Sequence, residues 1–221
     1  MSFLNKNKGG YIGYFRYATP EYASGVWNLR QQQQESSNYE WEQQYVYKSN
    51  GISGWANGGI SEDNSGYAGE KSIVVSSVGQ YGYVNPMPPD DTMLYVTLVF
   101  WVYMPVNNAL AFHFCHANNG QGPFLKIDTR SGYYTGLMYG TSWGVYGSEP
   151  ISGIQIASNT WTKLALIVPS SVDVSWYINE VYRDIEVILK NGNNFGVRKF
   201  AGTDACYVSD LRVYRGPVYG L

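Results

Sequence analysis

The chain has 221 residues and a net charge of −2, enough for one sandwich-sized domain with an extension and marginal for two. Charged residues make up only 14%, against about 25% in an average domain, and no Lys/Arg cluster occurs. This argues against a duplex- or RNA-binding face and against binding to an anionic membrane surface. Hydrophobic residues reach 44%, with 21 Tyr, 7 Trp and 25 Gly, a mix of rigid aromatic and small residues that suits strands, turns and contact surfaces.

The opening Met1-Ser2-Phe3-Leu4-Asn5-Lys6 has no apolar h-region, so no secretory signal is expected and folding in a cytoplasm is. Trp27 to Glu35, which includes the polar run Gln31 to Gln34, reads as a short helix capped near Ser24 or Gly25. No long amphipathic period follows, so this stretch cannot bury a core of its own. We read residues 1–48 as an arm for docking or assembly and 49–221 as a sandwich. The arm's apolar side chains Tyr11, Ile12, Tyr14, Phe15, Trp27 and Leu29 are its candidate contacts.

From Asn50 onward, runs rich in Val, Ile, Tyr, Phe and Trp alternate with turn signals such as Asn57-Gly58-Gly59, Asn119-Gly120 and Ser131-Gly132. The pattern predicts strands near 71–76, 94–104, 109–116, 124–128, 133–139, 161–168, 172–178 and 205–214. No helix-length amphipathic segment separates them, so the sheets should be antiparallel and the architecture an all-β, two-sheet sandwich. In the run from Leu94 to Met104, Leu94, Val96, Leu98, Phe100, Val102 and Met104 share one face. Tyr95, Thr97, Val99, Trp101 and Tyr103 share the other. The first face belongs between two sheets and the second on the outside of one, which predicts a central strand. The run is too short to span a bilayer. Val174, Trp176 and Ile178 repeat the inward pattern, as do Leu211 and Val213, with Asp210, Arg212 and Tyr214 facing away.

Candidate chemistry is sparse. Cys115 and Cys206 are the only cysteines; they can form one bond or stay two buried reduced thiols. His113, Cys115 and His116 resemble a metal cluster, but strand alternation turns His116 away from the other two, short of the four ligands of a zinc site. Asp90, Asp91 and Asp128 could offer Ca²⁺ ligands, without a spacing that fixes their geometry. We therefore expect no metal and no cofactor. Glu180, Asp184 and Glu186 are the nearest approach to a glycosidase carboxylate set, and their spacing does not match one. No nucleophile elbow, P-loop or dinucleotide fingerprint occurs, so no catalytic residue is assigned. The stretch from His116 to Tyr146 is the candidate ligand-binding surface. Its amides Asn118 and Asn119 and its aromatics Tyr133, Tyr134, Tyr139, Trp143 and Tyr146 suit sugar stacking, or equally an uncharged subunit contact.

Four segments carry a family resemblance. Val96-Thr97-Leu98-Val99-Phe100-Trp101-Val102, Asn159-Thr160-Trp161-Thr162-Lys163-Leu164-Ala165-Leu166, Val174-Ser175-Trp176-Tyr177-Ile178-Asn179 and Val208-Ser209-Asp210-Leu211-Arg212-Val213-Tyr214 resemble, in that order, strands of laminin-G-like jelly rolls of the concanavalin type. The family's Gly after the Asn is replaced by Glu180, so the turn Asn179-Glu180 needs a non-glycine residue at positive φ or a different loop. Gly9-Gly10-Tyr11-Ile12-Gly13 and Ala23-Ser24-Gly25-Val26-Trp27-Asn28-Leu29 resemble N-terminal segments of tail-fibre and other virion proteins of tailed bacteriophages. The resemblance implies a non-enzymatic structural protein of a phage virion, tail fibre or tail-associated, assembled in the host cytoplasm. Other virion proteins would be its partners and a homo-oligomer, such as a trimer, its working state. The alternatives are a capsid decoration protein and a module that binds host-surface polysaccharide; neither nucleic acid nor membrane is an expected partner.

Overall fold

The computed structural model describes residues 45–87, 96–116, 122–133, 135–142, 145–146, 156–168, 173–187 and 192–216. The helix expected over Trp27 to Glu35 and the arm contacts Tyr11, Ile12, Tyr14, Phe15, Trp27 and Leu29 lie outside them. The described strands are β1 (Tyr45–Lys48), β2 (Ala56–Gly58), β3 (Ser61–Asp63), β4 (Ser72–Val75), β5 (Tyr81–Val84), β6 (Val96–Tyr103), β7 (Ala109–His116) and β8 (Gly122–Asp128). They continue with β9 (Gly136–Ser142), β10 (Val145–Tyr146), β11 (Trp161–Val168), β12 (Asp173–Ile178), β13 (Val181–Val187), β14 (Asn194–Ala201) and β15 (Cys206–Arg215). They form two sheets. The first runs β13-β12-β11-β6-β15-β4-β3, with β1 also paired to β15; the second runs β10-β9-β8-β7-β14-β5-β2. The pairings between these strands are antiparallel, as expected. Tyr45–Lys48, read from sequence as the end of the arm, instead pair with Tyr214, Val213 and Arg212.

β6 is the central strand that its two apolar faces predict. It lies between β11 and β15, and Val96, Leu98, Phe100, Val102 and the following Met104 are at most 1% exposed. Each such side chain contributes about 1.5–3 kcal/mol relative to exposure. Phe100 crosses the interior to the second sheet, where its ring centroid lies 4.7 Å from that of Phe112 and 5.3 Å from that of Phe195. Trp176 and Ile178 of β12 and Leu211 and Val213 of β15 join the same core.

Two turns show how the fold tolerates unfavourable local chemistry. In β15 the inward residues are Cys206 and Val208, then Leu211 and Val213. The parity changes at Asp210, where the register with β6 slips between Ser209 and Arg212 and Asp210 adopts φ 51°. This bulge keeps a carboxylate out of the core. Ser49 fastens it, donating its N–H to Leu211 O at 2.8 Å and accepting Leu211 N–H on Oγ at 3.1 Å. Asp210 pairs outside with Arg212 Nε at 2.9 Å. The hairpin β12–β13 turns through Asn179 and Glu180 at φ 47° and 68°, so a non-glycine pair takes the left-handed region. Lys163 of β11 holds it: Asn179 N–H donates to Lys163 O, Lys163 N–H donates to Asn179 Oδ1, and Lys163 Nζ donates to Glu180 Oε1, each at 2.9 Å.

Cys206 is a free, buried thiol, and burial pushes it up to about 11. Next to it Lys199 is fully buried; its ammonium donates to Ser76 O at 3.0 Å and to Asp204 O.

Glu180→Gly should stabilise the protein. It relieves a left-handed glutamate, worth about 1 kcal/mol. It gives up an ion pair whose glutamate is 61% exposed, worth well under 1 kcal/mol. Calorimetry should show the melting temperature rise by about 1–3 °C; a fall would mean that the Lys163 contact outweighs the strain. In a Cys115→Ser background, Cys206 should resist a thiol reagent at pH 8 in native protein and react fully in guanidinium. Rapid native labelling would contradict its burial.

Candidate binding surface

The outer face of the first sheet carries a continuous chain of aromatic rings. Antiparallel pairing sets Trp161 of β11 opposite Tyr103 of β6, and Tyr103 opposite Tyr207 of β15. Their outward side chains meet because opposed residues share a face: Tyr103 lies 5.7 Å from Trp161 and 6.0 Å from Tyr207, centroid to centroid. Trp101, two residues along β6, is on the same face. Tyr67 lies flat on it, with centroids 3.5 Å apart and planes 11° apart, and meets Trp161 at 6.1 Å. All five rings are half-buried.

Tyr67 comes from a single 3₁₀ turn, Tyr67–Gly69, whose Ala68 and Gly69 have φ of 53° and 83°. The turn is tied to β15: Tyr67 N–H donates to Ser209 Oγ at 3.1 Å, and Ser209 Oγ donates to Lys71 O at 3.1 Å. Gly66 must be glycine, because a Cβ there would lie 2.2 Å from Glu70 O and 2.5 Å from Ser209 Oγ.

Charged groups border the rings in neutral pairs. Lys163, opposite Trp101, holds Glu180 at 2.9 Å. On the other flank Lys48 holds Glu70 at 2.9 Å, a hydrogen bond that raises the Lys48 ammonium above its ordinary range. Arg212 holds Asp210. The result is a flat, polarisable and locally neutral surface with polar groups at its rim. Such a surface suits the C–H face of a sugar, with rim groups reaching its hydroxyls.

Of the sequence-derived site, the backbone of Tyr139 lies on β9 and that of Tyr146 on β10, both in the second sheet. Asn118, Asn119, Tyr134 and Trp143 lie outside the described residues, and Tyr139 and Tyr146 are described in their backbone alone. Tyr133 is 43% exposed. The Arg130 guanidinium lies 3.7 Å from its ring centroid and Lys126 Nζ 5.4 Å from it. Tyr133 follows the end of β8 at Asp128, whereas the stretch with Asn118 and Asn119 precedes the start of β8 at Gly122. Of the sequence signals, only Trp101 and Tyr103, read as outward-facing, pointed to the ring surface. Tyr67, Trp161 and Tyr207 were missed as members, because their convergence depends on cross-strand register.

Asp128, offered as a Ca²⁺ ligand, is committed otherwise. Its carboxylate accepts from Arg130 Nε at 2.9 Å and Nη2 at 2.6 Å, with Lys126 Nζ at 3.3 Å. Asp90 and Asp91 lie outside the described residues. The expected divergence of His113 and His116 is corrected. Pairing with β14 passes from Gly196↔His113 to Asn194↔His116, so β7 carries one extra residue and bulges. Both imidazoles then sit on the outer side of the second sheet, centroids 5.7 Å apart and fully buried, against Phe124 and Tyr83. Among the described residues, no group of three or more His, Cys, Asp or Glu could hold a metal ion. Of the three carboxylates weighed for catalysis, Glu180 is engaged by Lys163, and Asp184 and Glu186 lie on β13 opposite Trp176 and Val174.

No family model and no curated protein matches the chain. Among solved structures, the chain is similar to the carbohydrate binding module CBM66 from Bacillus subtilis: TM-score 0.55, 11% identity, covering 73% of this chain and 95% of that one. It is also similar to the botulinum neurotoxin serotype D ligand binding domain in complex with N-acetylneuraminic acid: TM-score 0.50, 13% identity, covering 74% of this chain and 43% of that one. At these identities the likeness is one of fold, an antiparallel β-sandwich, and the chain spans less than half of the neurotoxin domain.

Proposed function

We propose that the chain is a non-enzymatic glycan-binding module that seats a sugar ring on the aromatic outer face of its first sheet. The observation that carries this reading is the unbroken ring chain Tyr207–Tyr103–Trp161–Tyr67–Trp101. Five half-buried aromatics with neutral, paired charges at the rim favour stacking with a polyhydroxylated ring over ionic binding. The fold likeness to a module named for carbohydrate binding supports it. On a glycan array, Trp161→Ala and Tyr67→Ala should each lower binding of the recognised glycan tenfold or more, the loss of about 1.4 kcal/mol. Both variants should stay folded, with a cooperative melting transition lowered by a few degrees for the lost ring packing, and binding is compared below it. Unchanged binding in both variants would remove the ring face from the reading, and turnover of the bound polysaccharide would overturn the non-enzymatic assignment.

A finer reading rests on the arm: a structural protein of a tailed-phage virion that docks through residues 1–48 and presents the sandwich outward. The tail-fibre-like segments at Gly9–Gly13 and Ala23–Leu29 support it. On this reading the full chain forms a homo-oligomer, and joint replacement of Tyr11, Phe15 and Trp27 by Ala yields a monomer that keeps its glycan binding. Light scattering coupled to size exclusion checks this; an oligomer indifferent to the three substitutions would count against the arm.

A further inference from the structure

Among the described residues, Asn50 and Asn57 are each followed by glycine. Asn119 and Asn191, which also precede glycine, lie outside them. A glycine in that position opens a route that a bulkier neighbour hinders, because its backbone nitrogen is not shielded by a side chain. The nitrogen gives its proton to solvent and attacks Cγ of the preceding amide. The N–Cγ bond forms, the Cγ–Nδ2 bond breaks, and the amide nitrogen takes up a proton and leaves as ammonia. Water then opens the resulting succinimide at either carbonyl. One product is aspartate; the other is isoaspartate, in which the backbone runs through the former side chain.

Both asparagines are exposed, so exposure does not separate them; their hydrogen bonds do. Asn57 Nδ2 donates to Ile60 O at 2.9 Å, and its Oδ1 accepts Gly59 N–H at 2.7 Å. The second bond closes an Asx turn and, with the first, fixes the amide. Asn57 and Gly58 are also paired in β2 with Gly82 and Tyr81 of β5. Cyclisation at Asn57 must break both side-chain bonds and draw Gly58 out of its strand. Asn50 lies in a turn just beyond the end of β1, closed by a long bond from Ser53 N–H to Asn50 O at 3.3 Å. Its side-chain amide is hydrogen-bonded to none of the described residues. The fold also demands glycine after it: Gly51 adopts φ 59°, and a Cβ there would run into the Glu62 carboxylate, which accepts Ile52 N–H at 3.1 Å. The most permissive neighbour is thus fixed beside the freer of the two amides.

We propose that Asn50 is a site of spontaneous modification, converted through the succinimide to aspartate and isoaspartate in the folded protein, while the hydrogen bonds of Asn57 protect it. The product acts on what adjoins it. Ser49 fastens the Asp210 bulge through its two bonds to Leu211, and isoaspartate at position 50 inserts a methylene into the backbone directly after that clamp. Either product also adds a carboxylate to a turn that already holds the Glu62 carboxylate against Gly51. Modification at Asn50 therefore loosens the bulge.

Peptide mapping by mass spectrometry tests this on the full chain aged in mildly alkaline buffer, with isoaspartate counted by isoaspartyl methyltransferase labelling. In guanidinium, where the Asn-Gly sequence alone acts, Asn50 and Asn57 should convert at similar rates. In native protein Asn50 should convert at least tenfold faster than Asn57, a ratio equivalent to about 1.4 kcal/mol in the barrier. The fraction modified at position 50, separated by anion exchange, should melt below the unmodified protein. Equal native rates at the two asparagines would overturn the site, as would an Asn50 that stays intact in native protein while it converts in guanidinium. A modified fraction that melts together with the unmodified protein would overturn the link to the Asp210 bulge.

Discussion

Everything in this sandwich hangs on the contact that Phe100 makes across the interior. β6 is central in the first sheet and β7 and β14 are adjacent in the second, so Phe100, Phe112 and Phe195 join three strands that share no hydrogen bond across the gap. Their centroids are 4.7 to 6.4 Å apart, and Trp55 extends the group to Phe195 at 6.1 Å. Aromatic pairs of this geometry contribute about 0.5–1.5 kcal/mol each beyond the area they bury. More important is what they fix. With the sheets locked face to face, the inner parity of each strand is decided, and every residue on the odd positions of β6 is forced outward together. Trp101 and Tyr103 lie on the outer face because Phe100 and Val102 are buried.

That constraint also explains why the strands bulge where they do. β15 has apolar residues at 206 and 208 and again at 211 and 213, a pattern that no regular strand can bury on one side. The extra residue at Asp210 reconciles the two halves and turns an acid outward, where it pairs with Arg212 and contributes to the neutral rim of the ring face. β7 does the converse: its bulge brings His113 and His116 to one side and buries both. In each strand a single inserted residue reassigns which chemistry faces the outside of its sheet.

These features mark how far the sequence was legible. The strands with strict alternation or long apolar runs, β6, β7 and β11, are apparent from their residues: β7 and β11 match the predicted spans to the residue and β6 lies within its own. The fold class follows from them, and so does the outward set on β6. β14 was missed although it is an interior strand of the second sheet, between β7 and β5, because Asn194-Phe195-Gly196-Val197-Arg198-Lys199 lacks the β-branched density that marks a strand. Its buried Lys199 reads as a surface residue until the carbonyls of Ser76 and Asp204 are seen around it. β2 and β3 are three residues each and carry no period. The ring face was only half legible: Trp101 and Tyr103 declare their direction locally, whereas Tyr67, Trp161 and Tyr207 converge through register and one loop. At Asn179-Glu180 the departure from the family's Asn-Gly left two options, a non-glycine residue at positive φ or a different loop; the turn takes the first, and Lys163 supplies the compensation.

The outer face of the first sheet owes its local neutrality to pairing. The first sheet contains many charges in its strands, but those bordering the rings are paired with one another, at 2.9 Å in three cases. Pairing cancels the long-range field and leaves dispersion and ring quadrupoles to select a ligand, which suits neutral surfaces.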